Sequence, residues 1–400
     1  MKQDRKFFVE KKSWSKTKDD LLSAYLVPYF AKISMRAEKL IYFDGFSGPG
    51  LFHDGSSGSP LIALGIYDKH VKEHNPRYND AAFFFSEKKA DYRASLEEAI
   101  GTRMHAASET AVFASYEENL AAVVDAARTT SKHLSAFFYI DPFGIIDLDF
   151  GHIKTIRNNI TSSEILLNFC SPGLLREMFC VKKINGMVPK DVEYGNEMRF
   201  EGSDEQRTLR LDRILGGNWW LEMAQSHKSG TDNYWDLEKA ISDRYRQNAA
   251  NLYTYVISMP ITIPGSKTLK YRMMHMTNHP DGCITMNDNM IVRKRHHNPQ
   301  SSLFDEDIDG ELLGSSRDDE IQQTAEKLVA TMPFDRKIQL GVIIAKLISA
   351  TGVTYRSSEL GKRFIAPFEH DGVIQRADPH ANSSSWSNNR IEFIRRRMGS

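Results

Sequence analysis

Apolar positions recur along this chain in two rhythms, and the switches between them mark out the elements. From Trp14 to Ala37 the residues Leu21, Leu22, Tyr25, Leu26, Tyr29 and Phe30 fall three and four apart, which predicts a helix with one buried stripe. Pro28 lies inside it and predicts a kink or a break. "KLIYFDGF" is then a short apolar run closed by turn residues, the pattern of a strand buried on both faces. "SPLIALGIYDKHV" returns to helical spacing, with Ser59 as the expected N-cap and Pro60 as the first helical residue. "AAFFFSEKK", the weaker "AVFAS", "SAFFYIDPFG" and "EILLNF" read as further strands, with "ADYRASLEEAIG" and "YEENLAAVVDAAR" as helices among them. Such alternation predicts a parallel sheet covered by helices on both faces.

Beyond Cys170 the pattern changes. Residues 172–250 are richer in charge, broken by glycines as in "GGNWW", and read as a helical insertion. "NLYTYVISMPITI" and "LKYRMMHMTNH", separated by a "PGSK" turn, predict a hairpin that finishes the sheet at its far edge. Residues 296–317 have linker composition. After them come three candidate helices, "DDEIQQTAEKLVATM", "RKIQLGVIIAKLISAT" and "YRSSELGKRFIAPFEHDG", then two short strands, "VIQRA" and "RIEFIR", around a polar loop. Three helices with a two-stranded wing is a winged-helix layout. The predicted organisation is an N-terminal helical segment (1–36), a Rossmann-like α/β domain with the insertion (37–295), the linker, and a winged-helix-like domain (318–400).

Composition narrows the class. With 41% hydrophobic and 26% charged residues and no run near the length of a membrane span, the chain reads as soluble, without a membrane partner. A charged N-terminus and three cysteines without metal-type spacing point to the cytoplasm, with no metal. Formal net charge is zero, so a nucleic-acid partner has to be held by local basic patches.

The stretch "YFDGFSGPG", Tyr42 to Gly50, carries the first candidate chemistry. A glycine loop between a buried strand and a helix lets backbone approach a ligand, and the helix N-terminus offers free N–H groups. No Gly-Lys-Ser/Thr follows, so a triphosphate is disfavoured. Glu87, ending the second strand, is placed to accept from ribose hydroxyls. A nicotinamide dinucleotide and S-adenosylmethionine (SAM) both suit that geometry. Asp44 at the end of the first strand opposes a pyrophosphate and suits a sulfonium cation with a free amino group. The expected cofactor-binding set is Asp44, Gly45, Phe46, Ser47, Gly48, Gly50, Ser59, Pro60, Glu87 and Lys88, with Asp44 near the amino group of SAM.

The fourth strand ends in Asp141-Pro142-Phe143-Gly144. An acceptor and a ring at the carboxyl edge of such a sheet stand where ligands bind. The stretch resembles the Asp/Asn-Pro-Pro-aromatic motif of methyltransferases that modify exocyclic amines of nucleobases, with Phe143 and Gly144 in place of its second proline and ring. Asp141, Pro142, Phe143 and Asn168, which ends "EILLNF", form the expected catalytic set.

Taken together, "WSKTKDDLLSAYLVPYF", "YFDGFSGPG" with "GSPLIAL", "FFFSEK", "FFYIDPFG", "EILLNF" and "MTNHPDGCITMNDNM" resemble the three-Cys-motif partner protein family (TcmP) over nearly the whole chain. The resemblance implies a class I SAM-dependent methyltransferase fold and a partner carrying a three-cysteine motif of iron–sulfur radical type. Cys170, Cys180 and Cys283 are scattered here and read as structural.

The remaining candidates are weaker patterns. His275, Thr277, Asn278 and His279 are a polar cluster without the carboxylates of a metal site, and Asn287 and Asp288 read as caps of a following helix. The tract Arg293 to His297, which includes Arg295, and "KKSWSKTK" from Lys11 to Lys18 are candidate phosphate contacts. In the winged-helix reading the helix with Arg356, Lys362 and Arg363 enters the major groove, and Arg395, Arg396 and Arg397 follow the wing. The expectation is a SAM-dependent methyltransferase acting on nucleic acid. The alternatives are a non-catalytic SAM- or nucleotide-binding adaptor that recruits the partner to nucleic acid and, third, a nicotinamide oxidoreductase.

Overall fold

The computed structural model describes residues 13–36, 38–102, 105–130, 133–145, 148–184, 201–226, 234–263, 268–297, 315–378 and 386–396. The "PGSK" turn, most of the linker, most of the wing loop, Lys11, Lys12 and Arg397 lie outside them. The chain divides into two compact units, Met1–Leu252 with Pro260–Met274, and Tyr253–Met259 with His275–Ser400.

In the first unit, α1 (Ser13–Met35) buries the whole predicted stripe, with Leu21, Leu22, Leu26 and Phe30 fully enclosed. The Tyr25 ring packs 5.5 Å from that of Phe137, and Phe30 packs 6.0 Å from Phe83. Burying a side chain of this size contributes about 1.5–3 kcal/mol. Pro28 does not break the helix, because it stands on the exposed side, where water can meet the carbonyl its missing N–H leaves free.

Strands β1 (Lys39–Asp44), β2 (Ala81–Ser86), β3 (Glu109–Phe113), β4 (Leu134–Ile140) and β5 (Ser162–Phe169) alternate with helices α2 (Ser59–His74), α3 (Ala90–Gly101), α4 (Tyr116–Thr129) and α5 (Phe150–Asn159). The strands pair in parallel in the order β3-β2-β1-β4-β5. β7 (Leu269–Thr277) and then β6 (Tyr255–Thr262) extend the sheet to seven strands beyond β5. The architecture is Rossmann-like α/β. β1, β2, β4 and β5 are buried along nearly their whole length, as strands covered on both faces must be. β3 is an edge strand, exposed or half-buried throughout, which accounts for its weak apolar signal.

Between β5 and β6 run α6 (Ser171–Lys182), α7 (Asp204–Leu215), α8 (Trp220–Ser226) and α9 (Tyr234–Ala250). α7 opens on a capping box, Ser203 with Gln206, and stops at left-handed Gly216. A buried ion pair ties this helical layer to the sheet. Glu238 of α9, 1% exposed, accepts Nε and Nη2 of Arg272 on β7 at 2.8 and 2.7 Å. Ser242 donates to the same carboxylate at 2.8 Å, and Ser171 at the start of α6 donates to it as well.

The second unit contains α10 (Pro280–His297), α11 (Ser315–Thr331), β8 (Lys337–Gln339), α12 (Leu340–Thr351), α13 (Ser357–Leu360), a π-helical stretch (Gly361–Ile365), α14 (Ala366–His370), β9 (Ile374–Arg376) and β10 (Glu392–Arg395). Its sheet is antiparallel, in the order β8-β10-β9. α10 packs on α12, with Cys283 Sγ 3.8 Å from the carbonyl of Ala345, so this unit begins well before Asp318. Asn287 and Asp288 stand inside α10 and do not begin a helix of their own. Asn287 donates to the Tyr355 carbonyl at 2.9 Å, and Asp288 accepts the Ser357 N–H at 2.7 Å and its hydroxyl at 2.6 Å, capping α13 from outside.

The expected helix "YRSSELGKRFIAPFEHDG" is interrupted at Gly361–Ile365, just before Pro367, which has no N–H to give to residue 363. Cys170 and Cys283 are buried and Cys180 is exposed. Among the described residues no three His, Cys, Asp or Glu side chains gather as metal ligands would, and no helix is long and apolar enough to cross a membrane.

Candidate functional site

The parallel register sets Asp44 level with Phe85 on one side and Tyr139 on the other, so the carboxyl ends of β1, β2 and β4 form one edge. Strand order reverses between β1 and β4, and in open α/β sheets the crevice at such a reversal is where ligands bind. A cavity of about 370 Å³ opens there, within the size range of small-molecule sites.

The glycine loop forms its centre. Gly48 and Gly50 have φ of +62° and +79°, which a side chain would strain. At Gly45 a Cβ would come within 2.6 Å of the Tyr116 ring, so close approach excludes anything larger. Gly45 N–H donates to the Tyr139 carbonyl at 3.0 Å and Ser47 N–H to the Ser86 carbonyl at 2.9 Å, which spans the loop across the ends of both neighbouring strands. Phe46 stacks on Tyr116 with ring centroids 5.3 Å apart.

Asp44 is fully buried and is not among the residues lining the cavity. Its Oδ1 accepts Phe46 N–H at 3.1 Å and its Oδ2 accepts the Ser59 hydroxyl at 2.6 Å, so its carboxylate fastens the loop to the start of α2. Ser59 accordingly is not the N-cap; Gly58 takes that position, because the Ser59 hydroxyl is drawn to the stronger acceptor. Pro60 is buried within the first turn, where its missing N–H costs nothing.

Glu87 lines the cavity and ties the β1 and β2 loops together, its Oε2 accepting Gly48 N–H at 3.0 Å and its Oε1 accepting Lys89 N–H at 2.7 Å. Each oxygen keeps a lone pair for a ligand hydroxyl. Lys88 lines the cavity too.

On the β4 side, Asp141, Pro142 and Phe143 line the cavity, and Phe143 is 48% exposed, enough to meet a planar group. The Asp141 carboxylate is closely held. Lys18 of α1 forms an ion pair with its Oδ2, Tyr139 donates to the same oxygen at 3.1 Å, and Asn168 donates to Oδ1 at 2.7 Å. Asn168 thus stands behind Asp141 and outside the lining set. Lys18, a phosphate candidate by sequence, pairs with Asp141 and sits 5.1 Å over the Tyr271 ring.

Sequence reasoning missed one whole wall. Ser15, Lys18 and Asp19 line the cavity from α1, as do Tyr92 and Ser115 to Glu117 from the β2 and β3 sides. A signal existed in the first case: positions i, i+3 and i+4 of a predicted helix share a face, and here that face is polar. Across the lining, three lysines (18, 88, 89) stand against four carboxylates (Asp19, Glu87, Glu117, Asp141), so a pyrophosphate finds no surplus positive charge.

In the second unit the five basic candidates divide. Arg363 pairs with Asp318 and lies 4.6 Å over the Tyr355 ring, and Arg295 pairs with Glu359 at 3.2 Å. Arg356 and Lys362 are exposed, and Arg293 is half-buried.

Burial pushes the Asp44 carboxyl up to about 7, against the bonds from Ser59 and Phe46 that favour its charged form. A carboxyl whose folded pKa is raised contributes stability that is complete below its unfolded value, near 4, and is lost as pH rises through 7. Urea midpoints of the protein are therefore expected to fall between pH 5 and 8, and Asp44→Asn to flatten that slope. An unchanged slope in the variant removes Asp44 as its source. Burial raises Glu87 in the same direction, so Glu87→Gln is expected to flatten the slope further.

Comparison with family models and with curated proteins finds no match to this chain.

Proposed function

We propose that the first unit is a class I SAM-dependent methyltransferase acting on nucleic acid, and that the second is a winged helix. The observation that carries the reading is the cavity at the β1/β4 reversal. It has a ribose-competent glutamate on one side, an Asp-Pro-Phe edge on the other, and no charge surplus for a pyrophosphate. Its volume and its glycine floor fit SAM.

When bound, SAM supplies a methyl group already activated on a sulfonium. The chain's own task is alignment. Glu87 would hold the ribose, the Gly45–Gly50 loop would line the ligand, and Phe143 would stack on the acceptor base. The edge at Asp141 and Pro142 keeps the acceptor lone pair in line, and the acceptor's proton leaves to water. Support for the winged helix is the order of the second unit from α11 onward, which is helix, strand, helix, a helical stretch from α13 to α14 broken by the π turn, strand, strand; Arg356 and Lys362 there are exposed candidates for phosphate contact. The partner with a three-cysteine motif rests on the sequence resemblance.

The test is calorimetric titration of the purified protein with SAM, S-adenosylhomocysteine and NAD. Micromolar binding of the first two is expected, with NAD at least tenfold weaker and with binding lost in Asp44→Ala and Glu87→Ala. Tighter binding of NAD overturns the reading in favour of an oxidoreductase. One observation favours the adaptor as a second reading: the Asp141 carboxylate is already occupied by Lys18, Tyr139 and Asn168.

A further inference from the structure

The topology gives the cavity two ends. Because β2 and β3 lie on one side of β1 and β4 on the other, Glu87 and Tyr92 belong to one end. Lys18, Asp19 and Asp141 belong to the other. A ligand whose ribose is held at Glu87 runs its remaining length toward the second end. There the charged groups on the wall are one cation and two carboxylates, drawn from α1 and from the end of β4. Two of them are neighbours in sequence and of opposite sign. Ser15, one helical turn earlier on the same face, adds a hydroxyl to the wall, and its residue is 7% exposed.

A wall with both signs so close together is matched by a group that also carries both signs on adjacent atoms. A phosphate would be repelled by the two carboxylates, and a plain ammonium would meet Lys18. An α-aminocarboxylate satisfies both. The Tyr42 hydroxyl is a further donor nearby. It is fully buried without a hydrogen bond, and burial, then the charges of Asp44, Asp19 and Asp141, keep it protonated.

We infer that α1 builds an aminocarboxylate subsite, in which Lys18, steadied by Asp141, takes the carboxylate of the ligand's amino-acid end and Asp19 takes its ammonium. The inference rests on the SAM reading and assigns binding residues that lie outside the strand-and-loop motifs. It also gives the N-terminal helix a second role, since the face whose apolar stripe covers the sheet turns polar toward its N-terminal end and binds there.

The test uses three probes on the full chain: S-adenosylhomocysteine, 5′-methylthioadenosine, which lacks the aminocarboxylate, and decarboxylated SAM, which lacks only the carboxylate. In Lys18→Met the affinity for S-adenosylhomocysteine is expected to fall about 10- to 100-fold, the usual worth of a hydrogen bond to a charged group. Affinity for methylthioadenosine and for decarboxylated SAM is expected to stay within about threefold of the parent, a change of well under about 1.4 kcal/mol. Asp19→Asn is expected to weaken both aminated ligands and to spare methylthioadenosine.

Retained methylthioadenosine binding also shows that each variant is folded. If both variants lose all three ligands alike, or lose none, the subsite is overturned while the SAM reading stands. If the parent protein itself binds none of the three, the SAM reading fails first and the subsite falls with it.

Discussion

Arg272→Met is expected to lower the stability of the protein by about 3–5 kcal/mol at pH 7.5, the range for breaking a buried pair from one side. Glu238 is 1% exposed and both its oxygens face the guanidinium, so the variant leaves a carboxylate in the interior with only the hydroxyls of Ser171 and Ser242. Urea midpoints of the variant and its parent read this directly. Arg272→Met combined with Glu238→Gln keeps the serine hydrogen bonds without the charge and is expected to recover more than half the loss. A deficit below about 1 kcal/mol at pH 7.5 sinks the argument, since it would equal that of an exposed pair.

The position of this pair matters for the site. Ser171 opens α6 directly after Cys170 and the end of β5, and Asn168 on that strand end holds Asp141. Nothing in the local sequence announces the link. Glu238 lies in the charge-rich helical insertion, and Arg272 in a strand of hairpin composition. They meet only because α9 lies against β7, the second of the two strands that follow it. By contrast, the elements of the sheet were legible because a strand covered on both faces has to be apolar throughout, as "AAFFFS" and "SAFFYI" are. The three-residue β8 was read as helix, since a strand that short carries no period of its own and runs straight into the apolar "LGVIIAKLISA".

The site follows the same division. Gly45, Gly48, Gly50, Glu87, Asp141 and Phe143 were found because strand ends and glycine loops are local signals, and all of them line one cavity. Asp44 was found for the right position and assigned the wrong neighbours: sequence gives its place at the strand end but not that Ser59, fifteen residues on, turns back to claim its carboxylate. The α1 wall was hidden because a helix read for its apolar stripe draws no attention to the polar residues that continue the same face, and Lys18 and Asp19 stand four and three residues before Leu22. Which side of a helix faces a cavity is decided by the sheet it lies on, through contacts such as Tyr25 with Phe137.

Asp141→Ala is the substitution that separates an enzyme from an adaptor. If the edge at Asp141 aligns an acceptor, the release of S-adenosylhomocysteine from SAM in the presence of mixed DNA and RNA is expected to fall at least about 100-fold, the scale of a misplacement near 1 Å. Affinity for S-adenosylhomocysteine is expected to change by less than about tenfold, because Glu87 and the glycine loop are untouched and Lys18 is released from one partner without leaving the wall. The contrast between the two readouts is what a structural role would not give. Loss of the Asp141 carboxylate also leaves Tyr139 and Asn168 without their acceptor and Lys18 over the Tyr271 ring alone, so Asp141→Asn is the necessary companion. It keeps an acceptor oxygen while removing the charge. Recovery of turnover in Asp141→Asn alone points to alignment by hydrogen bonding; failure in both points to the Lys18 pair as the element that sets the edge. Binding of S-adenosylhomocysteine by the parent together with no methyl transfer to either nucleic acid, in the parent as in the variants, would leave the closely held carboxylate as a structural clasp and the protein as an adaptor.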